Sequence, residues 1–345
     1  MNKIRVALIS ALLAPAGAMA AGDDVKLNVG GFIWADAGFG DRYDNSDDDR
    51  LGVFKTAVTL SPEYKNTRGV LVLGSDNLFG QDQFSTGNDS GDNGDIKAQE
   101  AFVGIKWNAL GGELDVTAGK QPILFGLKPN GWVGDRSITF GPEFGGAGGL
   151  NVSGQVQTAI IADWSFGADS GGSMVSSVGP EGVWVFRFGA FDTDDGDVAG
   201  GTSITDNWFG QVRAENLLGT GIYGSAGYEQ VDVAGSSESI ISVGAGWRWD
   251  KLDLSLEYQA IDMALAGTLD DETQFIAEAT YNINQNWSAY VDYAVQDEAD
   301  TDSIRVGTTW MYNEHVDFTA EYSDDSYDIG ALDGSSIDFR MAFSF

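Results

Sequence analysis

The side chains able to do chemistry are few in kind. The chain has one His, His315, and no Cys, which removes thiolate nucleophiles, disulfides, Cys-held zinc and iron–sulfur clusters. A Ser-His-Asp site built on His315 would need partners converging from elsewhere, and a lone His beside a turn reads instead as an exposed polar residue. The string Gly219-x-Gly221-x-x-Gly224 has the spacing of a dinucleotide fingerprint. Alternating residues follow it and no helix opens there, so it reads as a turn. No Gly-x-Ser-x-Gly elbow and no Walker loop occurs. Carboxylates are too abundant for any pair of them to point to glycoside hydrolysis. The Asp-rich runs at 47–49, 89–95, 192–197, 297–302 and 324–325 lack EF-hand spacing and read as solvated long loops. Nothing here calls for an enzyme, a cofactor or a metal.

What must position these residues is read from charge and pattern. The 52 Asp+Glu against 19 Lys+Arg give a net charge of -33, the wrong sign for a nucleic-acid partner. A hydrophobic share of 43% with 12% aromatics is too rich for a disordered acidic chain. Lys3 and Arg5, the apolar run 6–14 and Ala18-Met19-Ala20 form a secretory leader. Cleavage after Ala20 leaves a mature chain from Ala21 and takes the net charge from -33 to -35, since Lys3 and Arg5 are lost. No later stretch is long and apolar enough for a membrane-spanning helix, so the exported chain is either soluble or inserted in another form.

From Val25 the period is two, as in Leu252-Asp253-Leu254-Ser255-Leu256-Glu257-Tyr258. Strands are expected at 25–40, 51–65, 68–79, 96–107, 112–121, 153–163, 180–191, 207–216, 219–231, 239–249, 252–262, 272–283, 286–296, 302–312, 315–323 and 336–345. Their connections alternate between short turns and long Asp/Gly/Ser-rich loops, with 164–179 as one long connection on the turn side. Sixteen antiparallel strands with such sorting predict an all-β transmembrane barrel in the outer membrane, 21–345 forming one domain. Trp107, Trp208, Trp247, Trp249, Trp287, Trp310 and Tyr312 fall at strand ends, where rings suit a membrane interface. The last strand places Ile337, Phe339, Met341, Phe343 and Phe345 on one face and then stops. That ending resembles the C-terminal signal read by the outer-membrane barrel assembly machinery.

Several stretches resemble the sixteen-stranded trimeric general diffusion porins of Gram-negative bacteria. Ala101-Phe102-Val103-Gly104-Ile105-Lys106 is similar to their fourth-strand pattern Ala-Phe-x-Gly-Leu-Lys. Pro142-Glu143-Phe144-Gly145-Gly146 matches the Pro-Glu-Phe-Gly-Gly of the third loop, which folds into the barrel and narrows it. The resemblance implies a homotrimer, a long third loop folded into the lumen, and Glu143 at the constriction. Asp135 and Arg136 in the same loop, and Lys120 just before it, are further constriction candidates. A second resemblance, to the phosphate-selective porins, rests on Gly119-Lys120-Gln121-Pro122 and Phe125-Gly126-Leu127. That family's rows of basic residues are not evident.

Assigning the apolar parity to lipid puts the other parity in the lumen, because Arg or Lys on the lipid face costs ~2–4 kcal/mol at mid-membrane. Lumen bases are then Lys106, Arg187, Arg213, Arg248, Arg305 and Arg340. The acids are Glu100, Asp115, Glu215, Asp253, Glu257, Glu278, Asp292, Asp317, Glu321 and Asp338. The eleventh to thirteenth strands carry only acids while the seventh, eighth, tenth, fourteenth and sixteenth each bring an Arg, so either a transverse field or wall-holding ion pairs follow. The expected function is a water-filled channel for small hydrophilic solutes and ions, leaning to cations. The alternatives are a phosphate-type nutrient channel or a secreted acidic adhesin or binding protein. Outer-membrane lipid is the expected surrounding; loop carboxylates could share divalent cations with lipopolysaccharide phosphates, or reflect a salty habitat. Deleting Phe345, or changing it to Asp, is expected to leave export intact and to lower the amount of assembled, heat-modifiable barrel in the membrane fraction. An unchanged amount would remove the assembly role.

Overall fold

The computed structural model describes residues 25–40, 50–79, 97–127, 156–167, 182–192, 207–233, 236–262, 272–297, 301–326 and 334–345. They form sixteen strands: β1 (Val25–Gly40), β2 (Arg50–Tyr64), β3 (Thr67–Phe79), β4 (Lys97–Ala109), β5 (Gly112–Pro122), β6 (Val156–Phe166), β7 (Val183–Asp192), β8 (Asn207–Leu217), β9 (Ile222–Val233), β10 (Ser236–Trp249), β11 (Leu252–Asp262), β12 (Glu272–Asn284), β13 (Trp287–Gln296), β14 (Thr301–Asn313), β15 (Val316–Ser326) and β16 (Gly334–Ser344). Each pairs antiparallel with its neighbours in the chain, and β1 pairs with β16, so the sheet closes on itself. The expected barrel of sixteen antiparallel strands is the fold observed.

Closure is completed by the last residue. The amide of Phe345 donates to the Gly31 carbonyl (3.1 Å) and the Gly31 amide donates to the Phe345 carbonyl (3.0 Å). A Cβ on Gly31 would meet the Phe345 ring at 2.7 Å, so the ring lies across a position open to glycine alone. Elsewhere an aromatic lies over a directly paired glycine in the same way: Phe209 over Gly189, Tyr223 over Gly246 and Tyr290 over Gly307. Such pairs cover the bare backbone that a strand glycine leaves.

Alternation sorts the wall into two faces. Ile241, Val243, Leu256, Tyr258, Val306, Ile337 and Phe339 are exposed on the outside, while Ser242, Glu257, Arg305, Asp338 and Arg340 are buried on the inside. Leaving such apolar side chains in water costs ~1.5–3 kcal/mol each, so this outer face is built for an apolar solvent. Rings gather toward the rim of tight turns, where Trp247 stacks on Trp249 (5.6 Å) and Trp287 on Trp310 (5.8 Å). That rim is made by short turns at Lys65-Asn66, Leu110-Gly111, Asp250-Lys251, Gln285-Asn286 and Glu314-His315. His315 sits in the last of these, exposed, and Gly219 and Gly221 lie in the β8–β9 turn with positive φ of 69° and 78°.

Some boundaries differ from the sequence expectation. β6 lies three residues later, because Trp164, Ser165 and Phe166 continue the alternation. β9 reaches Val233 and β10 begins at Ser236, so the loop expected at 232–238 shrinks to two residues. Asp324 and Asp325 belong to β15 rather than to a loop. The leader and most of the other Asp runs fall outside the described residues.

Candidate functional site

After β5 the chain does not leave the barrel rim. Residues 123–127 turn inward as a strap, with Ile123 and Leu127 at 0% exposure and Phe125 at 2%. Ile123 and Phe125 pack with Ile161, Phe191, Phe209, Val231 and Ile261 from the wall, and Leu127 packs with Tyr223, Ile276 and Ala294. Two glycines on the inner wall make room for it. A Cβ on Gly227 would lie 2.6 Å from the Phe125 ring, and one on Gly244 would lie 2.8 Å from Leu127 Cβ. The strap itself turns at Gly126, whose φ of +91° is in the left-handed region and where a Cβ would meet Glu257 Oε1 at 2.6 Å.

Side chains of β7, β8 and β11 fasten the strap's backbone. Arg187 Nη1 donates to the Leu124 carbonyl (3.2 Å), Gln211 Nε2 to that of Gly126 (2.5 Å) and Arg213 Nη1 to that of Leu127 (3.0 Å). The Leu127 amide donates to Glu257 Oε2 (3.0 Å). Glu257 also accepts from Ser242 Oγ (2.5 Å) and Gln259 Nε2 (2.9 Å). A backbone segment without a ladder partner must satisfy its polar groups somehow, and here the wall does it. The amide and carbonyl of Leu127 are thus held by two different strands, β11 and β8.

Several inner charges are neutralised in place. Arg187 holds Asp163 through two bonds of 2.6 Å. Arg213 binds Glu215, which also binds Arg248 (3.0 Å). Arg248 reaches Asp253 (3.1 Å) and lies 4.1 Å over the Tyr223 ring, whose hydroxyl donates to Asp253 (2.6 Å). Arg305 pairs with Asp292 (3.2 Å) and, more loosely, with Asp325 (3.9 Å). Tyr290 donates to Glu321 (2.6 Å), and Arg340 stacks on Trp34 at 4.5 Å. Two of the Arg-bearing strands therefore meet acid-bearing neighbours in local pairs, Arg248 with Asp253 of β11 and Arg305 with Asp292 of β13.

Of the residues singled out from sequence, Lys106, Arg187, Arg213, Arg248, Arg305, Arg340, Glu257 and Asp292 all project inside the barrel, joined in the clusters just described; Lys106 pairs with Glu113 (3.1 Å). Lys120 does not join them. It is register partner to Ala101 and Thr158, both exposed on the outer face, while its neighbour Gln121 is buried inside. Period two leaves Lys120 facing outward, so it cannot narrow the lumen. Glu143, Asp135 and Arg136 lie outside the described residues. Sequence reasoning missed Arg68, which binds Asp115 at 2.7 Å, and Asp163 and Asp325. Alternation past Asp163 into Trp164 and Phe166 could have found the second. Arg68 precedes Val70-Leu71-Val72-Leu73, apolar on both parities, which gives no face to read.

Fold and interior together define a closed β-barrel with an apolar outside, a charged inside and a strap within its lumen. No protein-family model and no curated protein matches the sequence. Solved structures do match in fold. The anion-selective porin from Comamonas acidovorans aligns at 14% identity over 93% of this chain and 100% of its own, with a TM-score of 0.61. OmpF of Salmonella typhi, solved in complex with daunomycin, aligns at 13% identity over 94% and 98%, also at 0.61. OmpT, an outer membrane protein of Vibrio cholerae in its trimer form, aligns at 13% over 94% and 100%, at 0.59.

Filling the seat of Leu127 should loosen the strap without opening the barrel. Gly244→Leu removes burial of about one large side chain, ~1.5–3 kcal/mol, so amide exchange of residues 123–127 is expected to rise about tenfold or more while the strands stay protected. Unchanged exchange in that segment would mean that Leu127 is held by something other than this seat.

Proposed function

We propose that this chain is an outer-membrane porin, a passive water-filled channel for small hydrophilic solutes and ions. The observation that carries the reading is the two-faced closed barrel: exposed Val243, Leu256 and Val306 outside, buried Arg213, Glu257 and Arg305 inside, and an ordered strap across the lumen. Export by the leader 1–20, assembly through Phe345 and a homotrimeric state belong to the same proposal. The trimer form among the fold relatives supports that last part. Flux through such a tunnel needs no covalent step; aperture and charge do the sorting.

The channel leans to cations. The net charge, -35 once Lys3 and Arg5 leave the -33 chain with the leader, concentrates counter-ions near a low-dielectric tunnel, and Arg187, Arg213, Arg248 and Arg305 each hold a carboxylate. A phosphate-type channel would need guanidinium groups free for the anion, and these four are engaged. Glu143, with Asp135 and Arg136, stands as the constriction set on the loop that continues from the strap.

Membrane fractionation followed by planar-bilayer conductance tests the reading. Most of the exported protein should partition with the outer membrane, need detergent for extraction, and form ohmic channels; recovery in the soluble fraction would replace the porin by a secreted binding protein. Within the channel, Glu143→Gln should shift the reversal potential toward anions at ~0.1 M salt, and less so at ~1 M, where the Debye length falls to ~3 Å. Asp48→Asn, in a distant loop, should do much less. Equal and negligible effects of the two would remove Glu143 from the constriction.

A further inference from the structure

The inner charges span a range of solvent exposure, with Arg248 and Asp253, beside the Asp250-Lys251 turn, midway at 25% each. Those of the strap and the β13–β16 wall are shut away: the side chains of Arg187, Arg213 and Arg305 are 7%, 8% and 1% exposed. Those between β3 and β5 are open: Arg68 is 29% exposed, Lys106 31% and Glu113 26%, with Asp115 at 13%. The second group lies close to the tight-turn rim. Arg68 follows the Lys65-Asn66 turn by two residues, and Lys106 and Glu113 bracket the Leu110-Gly111 turn. At ~3.3 Å per residue they sit within ~15 Å of the turn tips.

Their pairing forms a linked chain. Asp115 accepts from Arg68 at 2.7 Å and lies 4.0 Å from Lys106, which binds Glu113 at 3.1 Å. Asp115 is also the direct register partner of Asp163 on β6. Two carboxylates placed side by side repel, and each is met by its own guanidinium, Arg68 for one and Arg187 for the other. Among the described residues, Lys106 is thus held by a shared carboxylate and a partly exposed one. Solvated pairs of this kind hold each other only weakly, so their charges remain available to a passing ion. The buried pairs differ: stripping one partner strands a charge away from water, so those groups maintain structure.

We infer that Arg68, Lys106, Glu113 and Asp115 form a second selectivity zone at the turn-side mouth, separate from any constriction made by the third loop. It rests on the channel reading and adds the residues that tune it. The zone carries both signs, so each sign of permeating ion meets a partner there, and changing one member tips the balance. Neither the fastening arginines nor the outward Lys120 contributes to it.

The test is bilayer conductance of the full-length protein under a potassium chloride gradient near ~0.1 M. A unit charge acting through water over ~10 Å changes a permeability ratio about twofold. Lys106→Glu alters the charge by two and is expected to raise the cation-to-anion ratio about fourfold. The near-isosteric Glu113→Gln is expected to lower it about twofold, and it stands in should the first variant fail to assemble. Both effects should fade at ~1 M salt with single-channel conductance unchanged, which a collapsed mouth would not allow. Wild-type reversal potentials in an assembled variant overturn the mouth zone and leave the porin reading standing. Absence of any conductance from wild-type protein overturns the porin reading itself.

Discussion

Every strand in this molecule must hand its amides and carbonyls to two neighbours, and the only arrangement that leaves no strand over is a ring. The joint at which the ring closes is therefore the constraint on which the rest depends. β16 meets β1 over nine register pairs from Phe32↔Ser344 to Gly40↔Ser336, and Phe345 adds one more exchange of bonds with Gly31. Closure fixes register all round, and register fixes parity. A one-residue slip in any strand would carry its charges outside and its apolar side chains inside. The two faces of the barrel are thus one decision taken sixteen times, with the ladder enforcing agreement.

Given that separation, the interior has to accommodate charges away from bulk water. It does so by proximity along the ladder. Arg187 and Asp163 are direct register partners on β7 and β6, Arg248 and Asp253 on β10 and β11, and Asp292 and Arg305 on β13 and β14. Cross-strand neighbours stand ~4.5–5.5 Å apart at Cβ, within easy reach of a guanidinium. The same wall spends glycines where the strap needs room and guanidinium or carboxylate groups where it needs bonds. Gly227, Gly244, Arg213 and Glu257 are four parts of one receptacle for five residues.

How much of this is legible in the sequence follows from the same geometry. Wherever one parity is apolar and the other polar, as in β11 or β16, both the strand and the direction of each side chain can be read. Val70-Leu71-Val72-Leu73 is apolar on both parities, so the strand is legible but not its faces, and Arg68 goes unassigned. Glu257 is legible as inward, but its bond to the Leu127 amide is not, because the two are 130 residues apart and alternation says nothing of long-range partners. Lys120 shows the opposite hazard. Its outward parity was available from Val116, Ala118 and Gln121, while its place just before the third loop pointed to the lumen. Local period outranks neighbourhood in a strand, since the pleat leaves a side chain no third direction.

Charge in the interior consequently serves two ends, and solvent exposure grades from one to the other, with Arg248 and Asp253 midway at 25%. Arg305, with Asp292 at 2% and Asp325 at 0% side-chain exposure, is bound within the wall too tightly to answer an ion in the lumen. Desolvation makes such a pair expensive to form and more expensive to break, so it reports on architecture. Lys106 and Arg68 stay wet and partly screened, and their field extends about a Debye length, ~8–10 Å at physiological salt. A lumen with equal numbers of both signs on its wall need not be electrically neutral to a solute: only the charges that water reaches are counted by it. The sequence tally of inward acids and bases therefore overstates the field that a permeating ion meets, and side-chain burial is the quantity that corrects it.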